Sequence, residues 1–148
     1  MSVSYDVFVN AFLNKVTEFE FLQMDDYSKD SLVNSYMKRS CAQFDKICKY
    51  DIMKFDDLIR QIDVDIPEDE IDEIADIVSE GMLVHWMKPY VYHQDNLLNV
   101  LNTKDFTTYS PAQMLMRVRG AYDAVKKDFT NMMREYSYVH GDLTELHL

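Results

Sequence analysis

Residues that break regular secondary structure are scarce in this chain. Its 148 residues include only three glycines and three prolines, which is too few for the many turns of an all-β sandwich or barrel. Hydrophobic residues make up 47% of the sequence and aromatic residues 13%, enough to fill one core in a domain of this length. The sequence therefore predicts an all-α fold, a small bundle of about four to five helices, in a single domain over 1–141.

Two helices are predicted from apolar residues that recur every three or four positions in the first third of the chain. Helix one is predicted over 4–24, with the stripe Tyr5, Phe8, Val9, Phe12, Val16 and Phe19. Helix two is predicted over 29–49 after Ser28 as N-cap, with the stripe Val33, Met37, Cys41, Phe44 and Cys48. Each helix is expected to turn this face towards the core.

The stretch that follows, 51–66, has poor helical periodicity. A short helical pattern over 55–59 gives way to an alternation of Ile62, Val64 and Ile66 with polar residues, which favours an irregular or extended connector. A third helix is predicted to begin near 66, where Asp65 and Glu68 form an acidic capping box.

Two further features shape the second half of the chain. Pro89 lacks a backbone donor and predicts a kink or a restart of helix three, with a shorter piece over 90–101. The last helix begins at Pro111, after Ser110 as a cap, and is expected to end at Gly141. Its apolar stripe consists of Leu115, Val118, Tyr122, Val125, Phe129, Met132, Met133 and Tyr136.

Two glycines lie inside the predicted helices, Gly81 and Gly120. Glycine costs about 1 kcal/mol relative to alanine in a helix interior. Each of these two glycines is therefore expected to permit the close approach of a neighbouring helix.

Negative charge is concentrated in one part of the sequence. Residues 51–80 contain twelve Asp and Glu but only two basic residues, a local net charge of −10 within a total of −11. One interpretation is that Glu68, Asp69, Glu70, Asp72 and Glu73 stabilise the positive N-terminal end of helix three and otherwise face solvent. The other is that Asp69, Glu70, Asp72 and Glu73 bind a basic partner surface. A calcium loop does not fit, because the glycine required at its sixth position is absent.

Positive charge is sparse and forms two small groups, Lys38 with Arg39 and a second group on the last helix. The candidate partner-binding residues there are Arg117, Arg119, Lys126 and Lys127. They form either an ordinary solvated face or the complement of a neighbouring subunit's acidic segment. Nucleic-acid binding needs clustered Lys and Arg, and the net charge has the opposite sign. We therefore predict no sequence-specific nucleic-acid partner.

The sequence lacks the motifs of common enzymes and metal sites. The histidines are His85, His93, His140 and His147, and none belongs to an HExxH or similar pattern. The three glycines are too scattered for a phosphate-binding loop. We predict no enzymatic activity, no cofactor and no metal site, and we interpret His85, beside Trp86, as a residue at the core boundary.

Cysteine usage and hydropathy bear on the compartment. Cys41 and Cys48 are seven residues apart on predicted helix two, about 10 Å along its axis, too far for a disulfide. The N-terminal segment lacks the pattern of a secretory signal, and no apolar run approaches the roughly 20 residues that span a bilayer. The sequence therefore predicts a soluble, intracellular protein with free thiols and no membrane partner.

The C-terminal segment 142–148 is predicted to be a tail beyond the helical domain. It carries Leu143, Leu146 and Leu148. A segment with three leucines is expected either to fold back on the core or to bind another chain.

Three segments carry a resemblance to a known class of proteins: YMKRSCAQFDKICKYDI, VDIPEDEIDEIADIVSEGMLVHWMKPYVYHQDNLLNVLNTKDF and the closing block DFTTYSPAQMLMRVRGAYDAVKKDFTNMMREYSYVHGDLTELHL. On these segments the chain resembles small proteins encoded among the virion genes of tailed bacteriophages and prophages. In size, helical organisation and C-terminal tail it is similar to head-to-tail connector (adaptor) proteins, which form a ring beneath the portal. The resemblance brings no catalytic signature and no individual binding residue.

The resemblance implies a structural virion protein that is assembled in the host cytoplasm. Its expected partners are identical subunits in a ring and portal and/or tail proteins, with docking by the C-terminal tail. Ring neighbours would pair the acidic segment of one subunit with the basic residues of the next. Alternatives are another tail completion or assembly component, and a small acidic regulatory or inhibitory protein that presents 51–80 to a basic host partner.

Overall fold

A computed structural model describes residues 2–17, 29–92 and 111–140. The elements in chain order are β1 (Val3–Ser4), α1 (Tyr5–Val16), α2 (Lys29–Phe44), β2 (Phe55–Asp56), β3 (Gln61–Ile62), α3 (Glu68–Tyr92) and α4 (Pro111–His140). Four helices dominate this part of the chain, and the predicted all-α bundle is confirmed. The end of predicted helix one, most of the piece after Pro89, Gly141, and the tail with Leu143, Leu146 and Leu148 lie outside the described residues.

Helix α3 is the centre of the bundle, and it packs against α1, α2 and α4. Its side chains are buried on several sides, including Ile74, Val78, Met82 and Trp86, as expected for a helix that is covered all round. The neighbouring helices each supply one apolar stripe. The buried residues of α1 are Tyr5, Phe8 and Phe12, and those of α4 are Val118, Tyr122, Val125, Phe129 and Tyr136. The predicted faces of the first and last helices are therefore confirmed.

Helix α2 is shorter than predicted, because a tertiary contact replaces its last turn. It ends at Phe44 and is followed by a turn over 45–47. The backbone N–H of Lys49 donates to the Tyr136 hydroxyl at 3.1 Å instead of continuing the helical ladder. Cys48 thus lies beyond the helix, while both cysteines are free thiols as predicted.

The connector contains a small sheet that the sequence did not predict. Strand β3 is central and pairs antiparallel with β1 and β2, with Ile62 opposite both Val3 and Phe55. The predicted irregular or extended connector is confirmed, because Phe55 is in a strand and the chain then turns over 57–60 instead of forming a helix there. Arg60 closes the turn with a φ of 53°, a left-handed conformation uncommon for a residue other than glycine.

The predicted restart of the helix at Pro89 was wrong. Helix α3 continues through Pro89 to Tyr92, although proline removes one hydrogen bond and costs about 3 kcal/mol in a helix interior. Buried side chains flank the proline on both sides, Trp86 and Met87 before it and Val91 after it. Burial of these residues offsets the local cost.

Candidate functional site

The acidic stretch is divided between carboxylates that have partners within the fold and carboxylates that do not. Seven of its twelve acidic side chains accept hydrogen bonds or form ion pairs: Asp51, Asp56, Asp57, Glu70, Glu73, Asp76 and Glu80. The contacts of Asp57, Glu70, Glu73, Asp76 and Glu80 tie the stretch to α1, α2 and α4, whereas those of Asp51 and Asp56 lie within the stretch. They reduce the acidic surface that remains for a partner.

Glu70 and Glu73, two of the candidate partner-binding residues, connect the start of α3 to the end of α4. Glu70 accepts a hydrogen bond from the Tyr50 hydroxyl, which raises the pKa of Tyr50 to about 12. Nδ1 of His140 lies 3.7 Å from a Glu70 oxygen, and Nε2 of His140 lies 3.0 Å from Oε2 of Glu73. Both carboxylates therefore have partners inside the domain.

Lys15 holds two more carboxylates of the stretch against α1. Its ammonium lies 2.6 Å from Oδ1 of Asp76 and 2.7 Å from Oε2 of Glu80, and it donates to the Asp76 carbonyl at 2.9 Å. The side chains of Lys15 and Glu80 are only 20% and 13% exposed. This cluster joins the last turn of α1 to the middle of α3.

The remaining five acidic side chains form the acidic patch, which consists of Asp63, Asp65, Glu68, Asp69 and Asp72. All five are exposed, and none forms an ion pair or a side-chain hydrogen bond with another described residue. Three of them lie in the first turns of α3, where negative charge is favourable next to the helix dipole. Asp63 and Asp65 precede the helix in a segment without regular structure, 63–67. The acidic patch thus includes Asp69 and Asp72 of the predicted residues, and the structure adds Asp63, Asp65 and Glu68.

The four candidate basic residues of α4 do not share one face. Arg117, Arg119, Lys126 and Lys127 are all exposed. Successive helical residues are rotated by about 100°, so Arg119 and Lys126 lie on the same side, Arg117 lies on the opposite side and Lys127 lies between them. Exposed Asp123 and Asp128 are interspersed among them. The positive charge of α4 is therefore dispersed and partly balanced.

A more compact positive surface lies between α2 and the hairpin that β2 and β3 form. A cleft of about 460 Å³ is lined by Tyr5, Asn34, Ser35, Lys38, Arg39, Asp57 and Arg60. We call it the basic cleft. It contains three cationic side chains and one carboxylate, in a protein whose net charge is −11.

Asp57 is the point at which three elements meet in the basic cleft. It accepts a hydrogen bond from the Tyr5 hydroxyl of α1 at 2.8 Å and another from the Lys38 ammonium of α2 at 2.8 Å. These two donors, Lys38 foremost, lower the pKa of the Asp57 carboxyl. The Tyr5 side chain is fully buried, so the floor of the cleft is fixed by the core.

The other cations of the basic cleft differ in how they are paired. Arg60 lies 3.4 Å from Asp6, and its carbonyl accepts a hydrogen bond from the backbone N–H of Tyr5 at 2.9 Å. Arg39 is exposed and forms no ion pair with any described residue. Oδ1 of Asn34 is buried and has no hydrogen-bond partner in the described part of the chain, which is costly for a polar atom. The lining of the cleft therefore includes a cation and a buried acceptor that are both unpaired among the described residues.

Only part of the basic cleft was visible in the sequence. Lys38 and Arg39 are adjacent and mark a positive site on α2. Arg60 comes from a turn 21 residues further along the chain, and it joins the cleft through the pairing of β3 with β1. Strands of two residues leave too weak a pattern for that pairing to be predicted.

Comparisons with known proteins identify no relative of this chain. No protein-family model, curated protein or solved structure matches this chain. Among the described residues, no three His, Cys, Asp or Glu side chains are grouped so that they would hold a metal ion. Nor is any described helix both long and apolar enough to cross a membrane.

Proposed function

We propose that this chain is a structural assembly protein that binds its partners through the acidic patch. In keeping with the virion proteins that its sequence resembles, we assign it the role of a head-to-tail connector or adaptor that forms a ring beneath the portal. It is assembled in the host cytoplasm and resides in the virion. The observation that carries the proposal is the acidic patch, five exposed carboxylates without partners among the described residues, within a stretch of ten residues.

The pattern of pairing supports a binding role for this patch. Elsewhere in 51–80 the carboxylates are used to join elements of the fold, as at Lys15 and His140. The acidic patch instead keeps its like charges close together, which disfavours the folded monomer through repulsion. A basic partner surface would remove that repulsion and also speed association by long-range attraction.

Neutralising part of the acidic patch tests the proposal. The double variant Asp69→Asn and Asp72→Asn keeps the size of the side chains and removes two charges. Because exposed ion pairs are each worth about 0.2–1 kcal/mol, the loss of two should weaken self-association by about twofold to thirtyfold. Sedimentation velocity and native mass spectrometry on the purified proteins measure this change.

A matched control removes the same charge from another exposed surface. Asp123→Asn with Asp128→Asn on α4 should leave association unchanged. Equal weakening by both pairs would indicate a nonspecific effect of net charge and would contradict a role for the acidic patch. A strictly monomeric protein that instead binds a basic host protein would favour the regulatory alternative.

We propose that the C-terminal tail, 142–148, makes the contact with the portal or a tail protein. Replacing Leu143, Leu146 and Leu148 by serine should abolish that contact, because it removes the apolar area that a partner would bury. The melting temperature of the monomer should change little. A large loss of melting temperature would show instead that the tail belongs to the core.

A further inference from the structure

We propose that the basic cleft is the receptor for the acidic segment of a second copy of this chain. In this contact the cleft of one subunit takes the exposed segment 63–67, which carries Asp63 and Asp65, from the next subunit. The inference rests on the proposed assembly role and names the two surfaces that meet. It assigns the complement of the acidic patch to α2 and the hairpin rather than to α4.

The chemistry of the basic cleft fits a carboxylate carried on a polypeptide. Arg39 provides a guanidinium with no ion-pair partner among the described residues, and guanidinium groups bind carboxylates through two parallel hydrogen bonds. Oδ1 of Asn34 needs a hydrogen-bond donor. A peptide segment supplies both groups, an acidic side chain and a backbone N–H, whereas a fully ionised anion supplies only acceptors.

The segment 63–67 presents these two groups. It has no regular secondary structure, and the side chains of Asp63 and Asp65 are exposed. The backbone N–H of Asp65 donates to no group among the described residues. The segment therefore offers carboxylates and a donor at neighbouring positions, which matches the free cation and free acceptor of the basic cleft.

The basic residues of α4 are a poorer complement. They point in different directions and are interspersed with Asp123 and Asp128, so an approaching acidic segment would meet a mixed charge. In the basic cleft three cations converge on one concave surface with a single carboxylate. Concave surfaces of one charge sign attract an opposite charge more strongly than dispersed charges do.

The two surfaces belong to different elements, so the contact is heterologous. The basic cleft of each subunit receives the segment of one neighbour, while its own segment enters the cleft of another. Repetition of such a contact generates a ring if the rotation closes and a filament if it does not. A ring is the arrangement that the proposed connector role requires.

Exchange of charge between the two surfaces tests the contact. Arg39→Glu reverses the free cation of the basic cleft, and Asp65→Lys reverses one carboxylate of the segment; both side chains are exposed, so both variants are expected to fold. Each variant alone should associate more than about tenfold more weakly than the wild type, because like charges then meet. An equimolar mixture should recover association to within about threefold, because every contact between the two unlike variants pairs opposite charges and the subunits can alternate.

Two further variants make the outcome specific. Asn34→Ala removes the unsatisfied acceptor without changing charge, and it should weaken association by about threefold or more. Lys127→Glu on α4 should have no effect. If Lys127→Glu weakens association while Arg39→Glu does not, α4 is the complement and the assignment to the basic cleft is overturned.

The mixing experiment also separates this inference from the proposed function. Wild-type assembly that is insensitive to Arg39→Glu, or a mixture that fails to recover, overturns the contact but leaves the assembly role standing. Wild-type protein that remains monomeric overturns both self-docking and the ring. Circular dichroism of each variant checks that the helical fold is retained.

Discussion

Gly81 of α3 lies directly against the ring of Phe129 of α4. A Cβ atom at Gly81 would lie 2.7 Å from Cζ of Phe129 and would also collide with the Ser40 hydroxyl of α2. The close approach of three helices at this point depends on the absence of a side chain. The prediction that Gly81 permits a close helix contact is confirmed, whereas the same prediction for Gly120 was wrong, because no atom of a neighbouring element in the described part of the chain lies within 4 Å of its Cβ position.

The two glycines therefore predict opposite effects of the same substitution. Gly81→Ala should lower the free energy of unfolding by about 1–3 kcal/mol, the usual cost of overpacking. Gly120→Ala should raise it by up to about 1 kcal/mol, because alanine favours the helix and no neighbour is displaced. Urea denaturation followed by circular dichroism measures both changes. A stabilising Gly81→Ala would contradict the packing at α3.

The ion cluster at Lys15 should contribute more to stability than the exposed pairs. Lys15→Ala leaves the largely buried Glu80 carboxylate without its cation, and a loss of about 2 kcal/mol is expected, below the cost of breaking a fully buried pair. The change is measured by urea denaturation at neutral pH. A loss well below 1 kcal/mol would show that the cluster is effectively solvated.

Lys38→Ala serves as the comparison for Lys15→Ala. Its partner, Asp57, has a side chain that is 66% exposed, and exposed pairs contribute little. The free energy of unfolding of Lys38→Ala should therefore differ only slightly from that of the wild type, although the basic cleft loses a cation. If Lys15→Ala and Lys38→Ala lowered the free energy of unfolding equally, burial would not be what makes an ion pair stabilising in this protein.

His85 should make stability depend on pH. Burial, together with Arg39 and Lys88, lowers the pKa of His85 to about 4, so the unfolded chain takes up a proton more readily than the folded protein. Stability should therefore be complete above the ordinary histidine pKa near 6.5 and should decline as the pH falls from 6.5 towards 4. The loss should be about 1 kcal/mol, because solvent reaches the half-buried ring.

His85→Gln isolates this effect from the titration of carboxylates. The difference in unfolding free energy between wild type and variant, measured from pH 7 to pH 4, should shift in favour of the variant as the pH falls. Glutamine also retains a polar group near Gln43, the hydrogen-bond partner of His85 at 3.0 Å. A difference that stays constant with pH would contradict the lowered pKa.

The two thiols should be unreactive in the folded protein. Burial raises the pKa of Cys41 to about 12 and also raises the pKa of Cys48. The thiolate fraction of Cys41 at mildly alkaline pH should be about a thousandfold below that of a free cysteine. Reaction with a thiol reagent should be slow in buffer and rapid in denaturant. Rapid native labelling of Cys41 would contradict its placement in the core.

The sequence predicted those parts of the fold that depend on long apolar repeats. The stripes of α1 and α4, at Phe8, Phe12, Tyr122 and Phe129, gave the buried faces directly because helical periodicity is a local signal. The sheet escaped prediction because each strand has only two residues and because β1 is distant in sequence from its partner β3. The continuation of α3 through Pro89 depends on burial that only the folded chain supplies.

The candidate site was predictable to a smaller extent. The concentration of acid in 51–80 was visible, but the separation of the paired Glu70 and Glu73 from the exposed Asp69 and Asp72 depends on His140, which lies far away in sequence. Arg60 enters the basic cleft for a similar reason, through the sheet. Charge is read from composition, whereas its pairing is a property of the tertiary structure.

The most direct test of the central claim is the sedimentation velocity of the wild-type protein as a function of concentration and salt. At about 0.05 M salt, the account predicts a sedimentation coefficient that rises between about 1 and 200 µM and approaches that of a closed ring. At about 0.5 M salt, association should weaken, because the contact is made by exposed charges. A single monomeric species at every concentration and in both salts would contradict the account.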